Sequence, residues 1–253
     1  MLNEERRRRI VEEVQRSGRA VVSELAQRFE ASAMTIRRDL QVLGEHGLIL
    51  RIHGGALSVQ NALYADRSLT EHELLHAQEK RLIALAAVKM LKEGQSVLLD
   101  SGSTTTAIAR ELRTFKQLTV ITNAINIASE LADSAVEVIL TGGMLRKNSF
   151  SLIGPLAEES LTHLKADILF MGVEGIDPQF GLSTSSMLGA VLERKMVQSV
   201  HLVVAVCDSS KFGHSSLSSI MPVTEIHRLI TDRGAPAKTL DELRASGIEI
   251  TLV

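Results

Sequence analysis

The stretch Val22–Ala56, VSELAQRFEASAMTIRRDLQVLGEHGLILRIHGGA, decides how the N-terminal part of the chain folds. It reads as two short amphipathic helices, a tight link and a basic hairpin. In Val22–Phe29, Ser23 is the expected N-cap, and Leu25, Ala26 and Phe29 fall on one helical face. Ser32 caps the second helix, where Ile36, Leu40 and Leu43 align at i, i+4 and i+7. With that stripe inward, Met34, Arg38 and Gln41 lie on the opposite face, flanked by Thr35 and Arg37. Arg can bond guanine bidentately and Gln can bond adenine, so this face suits the major groove. Gly47 ends the helix; Leu48–Ile52 and His53-Gly54-Gly55 follow as a strand and turn, placing Arg51 and His53 on a wing within reach of phosphates. The alternative is a small helical subdomain with a solvated basic face, which periodicity alone does not exclude.

The wording of the segment goes further than its periodicity. TIRRDL at Thr35–Leu40 and GLILRIHGGA at Gly47–Ala56 resemble the winged helix-turn-helix signature of the DeoR family of bacterial transcriptional regulators. One departure is Ala31, where that family usually has Val before the capping Ser.

Outward from this segment, composition bounds the rest. A chain of 253 residues suits one small domain and one larger one, and 45% hydrophobic content fills a sizeable core. With aromatics at 3% and no Trp, aliphatic side chains must fill it, as in a buried parallel sheet. The net charge of −2 hides an asymmetry: Met1–Ala56 carries ten Arg against eight acids, while the remainder is net acidic. Arg6–Arg9 is either a solvated helix end or a phosphate contact. The single Cys207 excludes an internal disulfide and, in an apolar run, reads as a buried inert thiol. No signal peptide or membrane span is legible, so a cytoplasmic protein is expected.

The expected organisation is a DNA-binding domain over 1–57, a linker over 58–78, helical towards its end, and an α/β domain over 79–253. The first helix is expected at Leu2–Arg16, with Ile10, Val11 and Val14 inward. From Glu79 onward strands and helices alternate: strands are expected at Ser96–Asp100, Leu118–Ile121, Val136–Leu140, Ala166–Met171, Leu202–Cys207, Ile226–Ile230 and Ile248–Leu252. Such βα units form a mainly parallel sheet that binds ligands at its strands' carboxyl ends.

Four regions at those ends stand out. Asp100, Ser101, Gly102, Ser103, Thr104 and Thr105 open a helix, where free amides and hydroxyls favour an anion such as phosphate. Thr122-Asn123 and Thr141-Gly142-Gly143 are further candidates, each also readable as an ordinary turn. The fourth runs through Gly172, Glu174, Gly175 and Asp177 to Gly181–Thr184; Asp208–Gly213 follows the next strand and carries Lys211, which can neutralise a phosphate oxygen.

Together these turns resemble the effector-binding domain of DeoR regulators, whose fold is similar to the ribose-5-phosphate isomerase and CoA-transferase group. The resemblance spans about Leu2 to Val253 and is nearest in wording to regulators of N-acetylgalactosamine or galactosamine use. It implies a repressor of a carbohydrate-utilisation operon, relieved by a phosphorylated sugar. It also implies operator DNA as partner, a homodimer or homotetramer, and no catalytic residue, metal, cofactor or membrane. Relatives carry acidic residues shortly after the counterpart of Thr184, whereas this chain reads Ser185-Ser186-Met187-Leu188-Gly189, which bears on the ligand class. The rival reading is a sugar-phosphate isomerase-like enzyme with a helical N-terminal extension, using Glu174 and Asp177 for proton transfer with help from Asp100 and Lys211. A DNA reader has no use in catalysis, and a ligand-free scaffold leaves the Ser/Thr/Gly-dense turns unexplained.

Overall fold

The computed structural model describes residues 3–17, 19–52, 54–58 and 68–253. The N-terminal unit comprises α1 (Asn3–Ser17), β1 (Arg19–Val21), α2 (Val22–Arg28), α3 (Ala33–Glu45), β2 (Ile49–Ile52) and β3 (Gly55–Ser58). Ile10, Val14, Leu25, Ile36, Leu40 and Leu43 close its core, as the 3.6-residue stripes require. Two features differ from expectation. Ser23 is not a cap: α2 begins at Val22 after Val21, and no side chain caps it. The Val22 amide instead donates to the Gly54 carbonyl at 2.9 Å. That bond follows from the second difference, the strand β1, which pairs antiparallel with β3 and widens the wing to the order β1-β3-β2. An orphan helix donor met by a neighbouring strand needs no hydroxyl.

The larger unit continues with α4 (Leu69–Leu74), α5 (Ala77–Val88), β4 (Ser96–Leu99), α6 (Ser103–Leu112), β5 (Thr119–Thr122), α7 (Ile125–Leu131) and β6 (Glu137–Leu140). After β7 (Met144–Arg146) and β8 (Ser151–Ile153) come α8 (Pro155–Thr162), β9 (Ala166–Gly172), β10 (Gly175–Asp177), β11 (Gly181–Thr184) and α9 (Met187–Gln198). β12 (Val200–Val206), β13 (Ser218–Met221), β14 (Arg228–Thr231), α10 (Ala237–Ala245) and β15 (Glu249–Leu252) close the chain. Seven strands form one parallel sheet in the order β15-β14-β12-β9-β4-β5-β6.

Alternate residues of each strand feed opposite cores. Leu98, Leu169, Met171, Val203 and Ala205 pack under α8, α9 and α10. Val97, Leu99, Ile168, Phe170, Val204 and Val206 pack under α5, α6 and α7. The expected α/β class and strands are therefore present, with ends shifted by a residue or two. The antiparallel pieces β7-β8 and β10-β11-β13 were not foreseen. Among the described residues, no helix is long and apolar enough to cross a membrane.

Strand order reverses between β4, which leads towards β5 and β6, and β9, which leads towards β12. The carboxyl ends of these two neighbours diverge there, opening a crevice at the point where doubly wound sheets bind ligands.

Candidate functional site

The N-terminal unit presents α3 outward. Ser32 caps it, accepting from the Thr35 amide at 3.1 Å and sharing a 2.8 Å hydrogen bond with the Thr35 hydroxyl. Met34, Arg37, Arg38 and Gln41 are exposed, and Thr35 is half-buried on the flank. Arg51 is exposed on the wing with its aliphatic stem against Gly44; His53 lies outside the described residues. The side of α3 turned inward holds one charge, Asp39, which is 2% exposed. Arg6 Nε donates to it at 2.6 Å and Arg7 Nε at 2.8 Å. Two members of the Arg6–Arg9 run thus lock α1 to α3, while Arg8 and Arg9 pair with Glu12 and Glu5 on the surface of α1. Asp39 had a sequence signal, since it follows Ile36 by three and precedes Leu43 by four, on the buried stripe.

The second site is the cleft at the reversal of strand order. Asp100, Ser101, Gly102, Ser103, Thr104, Gly172, Glu174 and Lys211 all line it, as expected. Val173 and Thr184, within the fourth region read from the sequence, and Ser185, in the stretch set against relatives, line it too; Leu69, His72, Arg146, Asn148, Ser149 and Glu193 join them, and sequence reasoning missed these six. Arg146 and Asn148 arrive on the β7-β8 ribbon, Glu193 from the second turn of α9, and Leu69 and His72 from α4. No local motif advertises such tertiary placements.

Other expected residues serve the frame. The Thr105 hydroxyl donates to the Asp100 and Gly102 carbonyls, both at 3.0 Å. Thr122 Oγ1 accepts from the Ala124 amide at 3.1 Å, and Asn123 stitches β5 to Leu152. Gly143, at φ +119°, passes so near β8 that a Cβ would lie 2.7 Å from the Ile153 carbonyl; Gly142 precedes it in the same turn. A Cβ on Gly175 would meet the His214 carbonyl at 2.4 Å. Thr105, Thr122, Asn123, Gly142, Gly143 and Gly175 do not line the cleft.

The electrostatics are mixed. The first amides of α6 meet no helical partner and carry its positive dipole, and Lys211 and Arg146 line the same cleft. Carboxylates line it as well. Burial pushes Asp100 up to about 7, opposed by hydrogen bonds from the Gly172 backbone and Thr105. Burial, then the negative charges of Asp100 and Glu174, hold Glu193 well above the usual carboxylate range. Behind the cleft, burial lowers Lys80 to about 8; its ammonium donates to the His72 carbonyl at 2.6 Å and to that of Leu75, and lies 4.0 Å from Asp208. Burial would raise Asp208, but its Ser210 hydrogen bond, Lys211 and Lys80 outweigh that and lower it. Cys207 is buried, and burial raises its thiol, in keeping with an inert role. A shallow groove between α1 and α2 holds Arg16 and Arg28, both paired with Glu13, and so offers no spare charge. Among the described residues, no cluster of His, Cys, Asp and Glu could hold a metal ion.

Comparison with known proteins gives the family of both units. Residues 6–62 match the DeoR-like helix-turn-helix domain, and residues 75–233 match the DeoR C terminal sensor domain. The chain is 38% identical over 251 residues to the putative aga operon transcriptional repressor of Escherichia coli O157:H7, covering 98% of this chain and 93% of that one. It is 30% identical to the glycerol-3-phosphate regulon repressor of Escherichia coli K12, over 100% of both chains. A ribose 5-phosphate isomerase A from Methanocaldococcus jannaschii superposes with a TM-score of 0.40 at 19% identity, covering 53% of each chain, too faint a likeness to carry an argument.

Proposed function

Since the chain belongs to the DeoR family of transcriptional regulators, we propose that its cleft binds a phosphorylated sugar and that the bound sugar releases operator DNA. The protein is a DNA-binding repressor of sugar-related genes and not an enzyme: its full-length relatives are named as regulators, and it shares their DNA-binding domain. The observation that carries the ligand reading is the cleft's anion end, where Ser101–Thr104 at a helix start face Lys211 and Arg146. A phosphate suits that combination of amides, hydroxyls and cations. In this reading Met34, Arg37, Arg38 and Gln41 enter the major groove, while Ser32, Thr35 and Arg51, with His53, approach the backbone. The active form is a homodimer or homotetramer, because paired readers match a palindromic operator. Exposed Ile139 and Leu140 on the edge strand β6, with exposed Met144 and Leu145 on β7 just after it in the chain, give a second copy an apolar surface to cover.

Two contacts support a route from cleft to reader. α4, which precedes the sensor's sheet, lines the cleft through Leu69 and His72, and the Leu69 amide donates to the Asn148 carbonyl at 2.8 Å. The Ser215 amide, on the segment that carries Lys211, donates to the Ser17 carbonyl at the end of α1 at 3.2 Å. The test is fluorescence anisotropy of labelled operator DNA from the chain's own promoter, with and without saturating sugar phosphate. Affinity is expected to fall about five- to 150-fold, the usual size of such coupling. Unchanged affinity would remove the regulatory role of the cleft, and tighter binding would make the ligand a co-repressor.

A further inference from the structure

The cleft holds three carboxylates, and they are not equivalent. Glu174 is exposed and already satisfied. Its carboxylate accepts from the Ser185 amide at 2.8 Å, the Ser185 hydroxyl at 2.9 Å, and the Thr184 and Ser216 hydroxyls at 3.3 Å each. Asp100 and Glu193 are the opposite. Asp100 is 3% exposed and its Oδ1 is buried without a hydrogen-bond partner; Glu193 Oε2 is likewise buried and unpartnered. Of the buried side-chain atoms lacking a partner among the described residues, these two line the cleft. Unpaired buried acceptors are costly and rare in native proteins, so a pair of them in one crevice calls for a donor supplied from outside.

The position of Glu193 shows how this chain arrives at that arrangement. Residues 185–189 carry no acid, yet Glu193 lies one turn after Gly189 on the same face of α9. A Cβ on Gly189 would already lie 3.6 Å from Glu193 Oε1, so a longer side chain there would occupy the space into which the carboxylate extends. The absent side chain at 189 and the acid at 193 form one device. It brings the carboxylate to the cleft from deeper in the helix than an acid at 185–189 would.

We propose that Asp100 and Glu193 are the specificity-determining carboxyl pair of the cleft, accepting hydrogen bonds from donor groups on the carbon skeleton of the effector, either hydroxyls or an ammonium. The ligand is then two-ended, with an anion on the α6 amides and donors on the carboxyl pair. This rests on the phosphate reading of the α6 turn, and the test separates the two.

Full-length wild type, Glu193→Gln and Glu193→Leu are titrated calorimetrically with inorganic phosphate and with two matched pairs. These are glucose 6-phosphate with glucosamine 6-phosphate, and galactose 6-phosphate with galactosamine 6-phosphate. Phosphate should bind all three proteins alike, which also reports that the variants fold. The best sugar phosphate should bind wild type more tightly than phosphate does, and Glu193→Leu should weaken it about ten- to a hundredfold, the loss expected for a charge-assisted hydrogen bond. If the donor is an ammonium, the amino member of the pair is preferred and Glu193→Gln falls as far as Glu193→Leu. If the donors are hydroxyls, the neutral member is preferred and Glu193→Gln keeps part of the affinity. Sugar phosphates that bind no better than phosphate, or equally well to Glu193→Leu, overturn the inference and leave the phosphate site standing. No binding of phosphate or of any sugar phosphate to wild type overturns the phosphate reading and the inference with it.

Discussion

Asp39 is the residue on which the DNA-binding unit turns, although it faces no DNA. Its carboxylate is buried between Arg6 and Arg7, so α1 and α3 are held by charge as well as by the Ile10–Ile36–Leu40 core. Removing one partner of a buried ion pair typically costs about 3–5 kcal/mol, whereas exposed pairs such as Arg8–Glu12 contribute about 0–1 kcal/mol. Asp39→Ala should therefore lower the unfolding midpoint of the N-terminal unit and abolish operator binding, while Arg8→Ala should leave the midpoint nearly unchanged. Urea denaturation followed by circular dichroism measures both, and equal midpoints for the two variants would refute the assignment. A chain of charges at one helix end reads as solvated until the partner on another helix is known, which is why Arg6 and Arg7 were ambiguous in the sequence. Asp100 gives a second test at this scale. Its folded pKa of about 7 lies above the ordinary carboxylate value of 3.8, so folding takes up a proton between those values. Stability of the ligand-free protein is then greatest at low pH on this account, and is lost as pH rises towards 7, by an amount on the order of a few kcal/mol. Asp100→Asn avoids that loss. It should match wild type near pH 4 and exceed it at pH 8 in thermal melts; an advantage that fails to grow with pH would show that burial does not set this group.

At the level of elements, α6 divides its hydroxyls between two tasks. Thr105 and Thr106 are buried and bond the Asp100 and Gly102 carbonyls, fixing the βα turn, whereas Ser103 and Thr104 line the cleft. A Ser103→Ala/Thr104→Ala variant should keep the wild-type melting temperature yet lose stabilisation by sugar phosphates, which at a hundredfold excess over Kd is about 2.7 kcal/mol in wild type. Thr105→Ala should instead melt lower with or without ligand. Differential scanning calorimetry distinguishes them, and a double variant that still responds fully to ligand would move the phosphate elsewhere. The long βα units were legible because each offers a buried aliphatic run followed by an amphipathic helix. The short ribbons were not: β7, β8 and β10 have three residues each, too few to show alternation, and their pairing depends on partners such as β13 that are distant in sequence. Arg146, Asn148 and Ser149 reach the cleft on the β7-β8 ribbon, Leu69 and His72 on α4 and Glu193 on α9, so the turn that opens α6 could be read from sequence while this part of the wall could not.

For the whole molecule, the coupling proposed between the two units begins at the cleft. Leu69 and His72 bring α4 into the cleft wall, and Lys80 secures that helix by bonding the His72 and Leu75 carbonyls. Because linkage is reciprocal, the anisotropy titration with operator has a mirror image: operator DNA should weaken sugar-phosphate binding by the same factor of about five to 150. Calorimetry with and without operator checks that equality, and unequal factors would mean that more than one coupled equilibrium is present. The arrangement of the sheet also orders events in time. The core of the N-terminal unit closes on contacts contained within residues 3–58, whereas β4 must wait for β9, the central strand of the sheet: the Ser96 amide donates to the Asp167 carboxylate across 71 residues. The last strand ends at Leu252. With domains folding in turn at about 5–20 residues per second of synthesis, the reader is complete roughly ten to forty seconds before the sensor. For that interval each newborn chain carries a finished reader with no sensor behind it, and because the proposed operator complex takes paired readers, repression waits until the sheet has closed and two chains have met.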